Sequence, residues 1–156
     1  MGHTFLSVSN DPPERMIAAP DSVLEVFMYL WLESIDFEVL TAEQQQVYWH
    51  YWQEMPQENS SCMDLWLEEI YADPSLTEWY LGSLVALKAE LSRWVPTIDH
   101  ELLNGLNYWS KQYTGPFPVI FLFYLINDLQ WLFYQEGVRP SEHFKWFAYG
   151  HQGLLH

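Results

Sequence analysis

Apolar side chains recur along this chain at intervals of three and four residues, the spacing that gathers them on one face of a helix. The clearest run is Leu76, Tyr80, Leu84, Leu87, Leu91 and Trp94, and it predicts a helix over 76–94. Gly82, Ala86 and Ala89 form a second stripe on that helix, small enough to let another helix approach closely. Leu102, Leu103, Leu106, Trp109 and Tyr113 predict an amphipathic helix over 100–113, with His100, Asn104, Asn107 and Lys111 on its polar side. From Val119 to Tyr134 the chain is apolar nearly all round, which predicts a central buried helix.

Helix starts are marked by short polar side chains that accept hydrogen bonds from the first unpaired amides. Ser22 with Glu25 precedes a helix over 23–33, Thr41 with Gln44 one over 42–55, and Ser75 with Glu78 the helix over 76–94. Ser61 opens a helix over 62–71 with Asp64 in its first turn, Asp99 precedes His100, and Ser141 precedes a short helix over 142–149. Pro118 sits near the start of the central helix, which Gly137 ends. Pro56, Pro74, Pro96, Pro116 and Pro140 punctuate the gaps. Ile35, Phe37 and Val39 alternate with Asp36 and Glu38 in the manner of a strand, but one strand makes no sheet, so 35–40 is expected as an extended linker. These signals predict an all-α fold, a single-domain irregular bundle of six or seven helices over 21–150. Residues 1–20, polar and broken by Pro12, Pro13 and Pro20, are expected as a flexible arm, and 151–156 as a flexible tail.

Charge changes the picture. The formal net charge is −15 in 156 residues, and it is unevenly spread. Thirteen acids and no Lys or Arg lie between Met16 and Leu87, against six acids and five bases from Lys88 onward. Such a surface repels nucleic-acid phosphates and anionic lipid, and it steers a basic protein partner toward itself. The longest apolar run, Phe117 to Ile126, is too short to span a bilayer, so no membrane association is expected. Cys62 is the only cysteine and rules out an intrachain disulfide, which fits a cytoplasmic protein. Residues 1–20 lack the basic start and apolar run of a secretory signal.

Catalytic patterns are missing. The six histidines are scattered, no HExxH, paired CxxC or GxSxG is present, and the seven glycines form no phosphate-binding loop. His50 and Glu54, one turn apart, read as a surface pair. Asp64, Glu68 and Glu69 read as the solvated face of a helix that turns Cys62, Trp66 and Ile70 inward. The expectation is a protein that is not an enzyme and needs no metal or cofactor.

Aromatic residues offer the positive clue, at 18% of the chain. In Val47 to Trp52 the residues Val47, Tyr48, Tyr51 and Trp52 share one helix face, while Trp49 falls nearly opposite. Trp79 and Trp146 also lie off the apolar stripes of their helices. Exposed aromatics within an acidic surface suit capture of a partner segment, with rings as anchors and carboxylates at the rim. The predicted partner-binding set is Trp49, Trp52, Tyr48, Trp79, Trp146, Glu43, Glu54, Asp64, Glu68 and Glu69. The leading expectation is an acidic adaptor or assembly chaperone that holds a basic or apolar segment of another protein. The alternative is a nucleic-acid mimic that inhibits a DNA- or RNA-binding enzyme, of the anti-restriction or anti-CRISPR type. A homo-oligomer joined through the same aromatics is compatible with either. No motif assigns the chain to a family.

Overall fold

The computed structural model describes residues 3–8, 16–54, 63–94, 96–99, 101 and 115–134. In chain order the elements are β1 (His3–Leu6), β2 (Ile17–Pro20), α1 (Asp21–Ser34), a 3-10 turn (Phe37–Val39), α2 (Ala42–Glu54), α3 (Leu67–Ala72), α4 (Pro74–Leu91), β3 (Thr97–Ile98), β4 (Phe117–Pro118) and α5 (Ile120–Tyr134). The chain is mostly helical, as the periodicity predicts. Five α-helices lie among the described residues, so the expected count of six or seven is not reached there. The helix predicted over 142–149, nearly all of that over 100–113, and the tail over 151–156 lie outside the described residues, as do Cys62 and Trp146.

The core is built around α1. From Val23 to Tyr29 every residue is buried, because α1 packs against α2, α4, α5 and β2 at once. The sequence points to α5 as the central helix, and α5 buries Phe121, Leu122, Leu125, Ile126, Leu129, Leu132 and Phe133. The centre is therefore shared by two helices. Trp31, fully buried on α1, ties that helix to α2 and α4. Its ring meets Tyr51 of α2 at 4.6 Å and Trp79 and Tyr80 of α4 at 5.8 Å each. Its indole N–H donates to Ser83 Oγ at 2.8 Å. Tyr51 and Tyr80 share a hydrogen bond of 2.7 Å, and both phenols are pushed well above their ordinary range, chiefly by burial.

Two short antiparallel sheets depart from the all-helical expectation. β1 pairs with β2 in the register His3 to Pro20 and Leu6 to Ile17, and β3 pairs with β4 in the register Thr97 to Pro118. The first pairing corrects the expected flexible arm over its described part. Leu6, Val8, Ile17 and Ala19 are all buried. Thr4, 1% exposed, donates from Oγ1 to Asp21 Oδ1 at 2.7 Å and accepts from the Met63 amide at 3.2 Å. One hydroxyl thus joins β1, the start of α1 and the segment before α3, and the apolar burial holds all three together.

Local signals were realised unevenly. The Thr41–Gln44 capping box forms in both directions, with Gln44 N to Thr41 Oγ1 at 3.2 Å and Thr41 N to Gln44 Oε1 at 3.0 Å. The expected Ser22–Glu25 cap does not form: α1 begins earlier, at Asp21, after a Pro20 that makes no side-chain cap. Asp73 replaces Ser75 as the cap of α4, accepting from the Ser75 and Leu76 amides at 2.9 and 3.3 Å. Pro74 then occupies the first turn, where its missing N–H costs nothing. Residues 37–39 form a 3-10 turn rather than extended backbone, because the Asp36 carboxylate accepts from the Glu38 amide at 3.2 Å.

Candidate functional site

Helix α2 lies on the outside of the bundle and buries only Val47 and Tyr51. Trp49, two residues from each, must project the opposite way at 100° per residue. Its side chain is 47% exposed, as the helix pattern predicts. The indole is not isolated. Phe37, carried by the 3-10 turn, meets Trp49 edge-on at 5.3 Å and Tyr48 at 5.1 Å, and Tyr48 meets Trp49 at 5.5 Å. These separations suit attractive edge-to-face ring contacts, so the cluster fixes the Trp49 ring while leaving part of it open. Val39, 74% exposed on the same turn, extends the apolar surface, and exposed Asp36 and Glu38 flank it.

A second group forms along the other edge of α2. Glu43, His50 and Glu54 recur at helical spacing there, away from Trp49, Gln45 and Gln53. The His50 ring stacks on Trp66 at 4.8 Å with planes 7° apart. His50 Nε2 donates to the Asp64 carbonyl oxygen at 2.9 Å and stands 3.5 Å from the Asp64 carboxylate. Glu54 Oε1 accepts from the Asp64 amide at 3.1 Å, and Asp64 Oδ1 accepts from the Trp66 amide at 2.8 Å. Trp66 itself is left-handed, at φ 59°, a conformation uncommon outside glycine. Stack and hydrogen bonds hold it there, and the left-handed residue stops α3 from extending back toward Ser61. The expected helix over 62–71 is corrected to Leu67–Ala72, and Asp64 belongs to the non-helical lead-in.

The predicted partner-binding set is therefore divided. Trp49, Tyr48 and the newly found Phe37 make one aromatic face. Glu54 and Asp64 are engaged with the Trp66 lead-in, while Glu43, Glu68 and Glu69 are exposed in the first turns of α2 and α3. Trp52 and Trp79 are half-buried against the core, and Trp79 is an edge partner of Trp31, so its off-stripe position reflects internal packing. Trp146 lies outside the described residues. Phe37 and Trp66 escaped the sequence reading because each acts through a partner distant in sequence or across a turn. A period-two reading of 35–40 concealed the first, and a helix reading of 62–71 the second.

Among the described residues no three His, Cys, Asp or Glu side chains gather in a way that would hold a metal ion. None of the described helices is long and apolar enough to cross a membrane. One carboxyl has unusual acidity: Asp128 on α5, 5% exposed, is pushed up to about 7 by burial. It belongs to the interior, remote in sequence from both groups on α2. The chain matches no protein-family model, no curated protein and no solved structure.

Proposed function

We propose that the chain is a non-enzymatic protein-binding module, an acidic adaptor or assembly chaperone that holds a basic and apolar segment of a partner protein. The observation that carries this reading is Trp49. It is a large aromatic held by two neighbouring rings on the outer face of α2, 47% exposed, in a stretch of chain with thirteen acids and no Lys or Arg. Ring clusters with a fixed geometry lose little entropy on docking and serve as anchors of interfaces. Asp36 and Glu38 beside Phe37 supply the rim that a basic residue would meet, and they would speed encounter more than they raise affinity. The cytoplasmic setting suggested by a lone cysteine accords with such a role.

The test compares wild-type protein and Trp49→Ala as baits in lysate of the source organism, at low and moderate salt. A protein retained by the wild type and lost from the folded variant at both salt concentrations supports the reading. Equal retention by both baits removes Trp49 from the interface. Displacement of the retained protein by added DNA or RNA replaces the reading with nucleic-acid mimicry.

A further inference from the structure

Gly82, the first residue of the small stripe on α4, lies in a second surface that the Trp49 face does not explain. Two rows of α4 run side by side at four-residue spacing, Pro74–Glu78–Gly82 and Thr77–Leu81–Val85. Between and beside them lies an open trough of about 680 Å³, walled by Tyr71 of α3 and by Tyr134 at the end of α5. No residue of α2 lines it. Tyr71 is braced by Phe133 at 6.2 Å, so this wall is built into the fold. Val85 and Tyr134 are 57% and 56% exposed, and a side chain added at Gly82 would meet nothing within 4 Å.

Shape and charge together name an occupant. Parallel rows at four-residue spacing are the ridges between which a second helix seats its own ridge, and a glycine in one row lets the two axes come close. The trough follows α4 from Pro74 to Val85, about 16 Å at helical rise, or three turns of a docked helix. Among the described lining residues Glu78 alone is charged, and Glu68 lies one turn before Tyr71 on α3. Every described lining residue but Tyr134 belongs to the stretch without Lys or Arg. The nearest following bases are engaged: Lys88 donates to Asn127 Oδ1 at 2.7 Å, and Arg93 pairs with Glu90 at 3.6 Å.

We infer that the trough between α3, α4 and the end of α5 is a docking seat for a basic amphipathic helix of a partner protein, whose apolar ridge lies over Gly82 and whose Lys or Arg side chains meet Glu78 and Glu68. This rests on the reading of the chain as an acidic binding module but assigns a seat that does not involve Trp49.

The probe is a fluorescein-labelled 18-residue peptide of leucine and lysine, with leucine at helical spacing on one face. A control peptide has glutamate in place of lysine. Anisotropy titrations use the full chain as wild type, Gly82→Leu, Glu78→Gln and Trp49→Ala. A Cβ at position 82 meets nothing within 4 Å and leucine favours the helix, so Gly82→Leu is expected to fill the trough with the fold retained, which circular dichroism and urea unfolding of the variant check. The lysine peptide is expected to bind the wild type and to lose at least about tenfold in affinity with Gly82→Leu. Glu78→Gln is expected to cost about two- to fivefold and to flatten the salt dependence. Equal binding of the glutamate peptide, or unchanged binding by Gly82→Leu, overturns the proposal. Loss in Trp49→Ala with none in Gly82→Leu overturns it while leaving the Trp49 face standing. A wild-type dimer in sedimentation that Gly82→Leu dissolves gives the trough to a second copy of the chain, and overturns it too.

Discussion

Helices α1 and α2 are nearly equal in length, at 14 and 13 residues, and both carry tryptophan near tyrosine, yet the molecule uses them oppositely. α1 is surrounded by β2, α2, α4 and α5, so each of its faces finds apolar neighbours and Trp31 disappears from solvent. α2 meets the bundle on one side only. Its Val47 and Tyr51 are spent on that contact, and Trp49 is left on the far side with Phe37 and Tyr48 as its ring partners. The same residue type is therefore structural in one helix and available in the other, and the difference comes from how many elements surround the helix.

Truncating the two tryptophans separates the two helices by the largest expected effect. Trp31→Ala removes a fully buried ring with three aromatic partners and leaves Ser83 without its indole donor. It is expected to cost about 3–5 kcal/mol of unfolding free energy in a urea titration. Trp49→Ala is expected to stay within about 1 kcal/mol in the same titration. Comparable losses would mean that Trp49 belongs to the core and that the outer face of α2 is not free for a partner.

The interior carries a second, pH-dependent mark. Asp128 titrates at about 7 in the folded chain, because burial penalises its charged form, whereas an unfolded aspartate titrates near 3.9. The folded state thus holds this proton more tightly than the unfolded state. Its contribution to stability is greatest below about pH 4 and declines as pH rises through about 7. Asp128→Asn is expected to raise stability by roughly 2–4 kcal/mol at pH 8 relative to the wild type, and to change it little at pH 4. Chemical denaturation of both proteins at the two pH values checks this, and a gain independent of pH would refute it.

Smaller effects separate tertiary ties from local ones. Thr4→Val keeps the shape of a buried residue but leaves the Met63 amide and Asp21 carboxylate without their partner, and is expected to cost about 1–3 kcal/mol. A neutral result in thermal unfolding would show that apolar burial alone holds β1. Thr41→Ala removes one half of a capping box on the less supported helix and is expected to cost about 1 kcal/mol, seen as a lower Tm.

Legibility in the sequence follows the range of each interaction. The Thr41–Gln44 box is complete within four residues, and the buried positions Tyr80, Leu84, Leu87 and Leu91 follow from the pitch of α4. β1 and β2 were not legible as a pair. Thr4, Leu6 and Val8 alternate, as do Ile17 and Ala19, but the Pro12–Pro13 step between them reads as an arm, and the pairing depends on α1 and α5 packing against β2. At 61–66 the Ser61 and Asp64 pattern imitates a helix start. The stack of Trp66 on His50, sixteen positions earlier, belongs to a contact that no local pattern reveals.

By itself the sequence determined the helical class, the span of α2, α4 and α5 to within a few residues, the acidity of the first half, and the outward direction of Trp49. All of these follow from helical pitch, from short-range capping, or from counting charges. Tertiary structure alone decided that α1 shares the centre with α5, that the start of the chain is bound into the core as a strand, that Trp79 packs inward, and that Phe37 fixes the Trp49 ring. It also left the Gly82 stripe without a covering helix among the described residues. Each of these depends on which elements become neighbours, and that is set by the competition of all the apolar faces for burial at once.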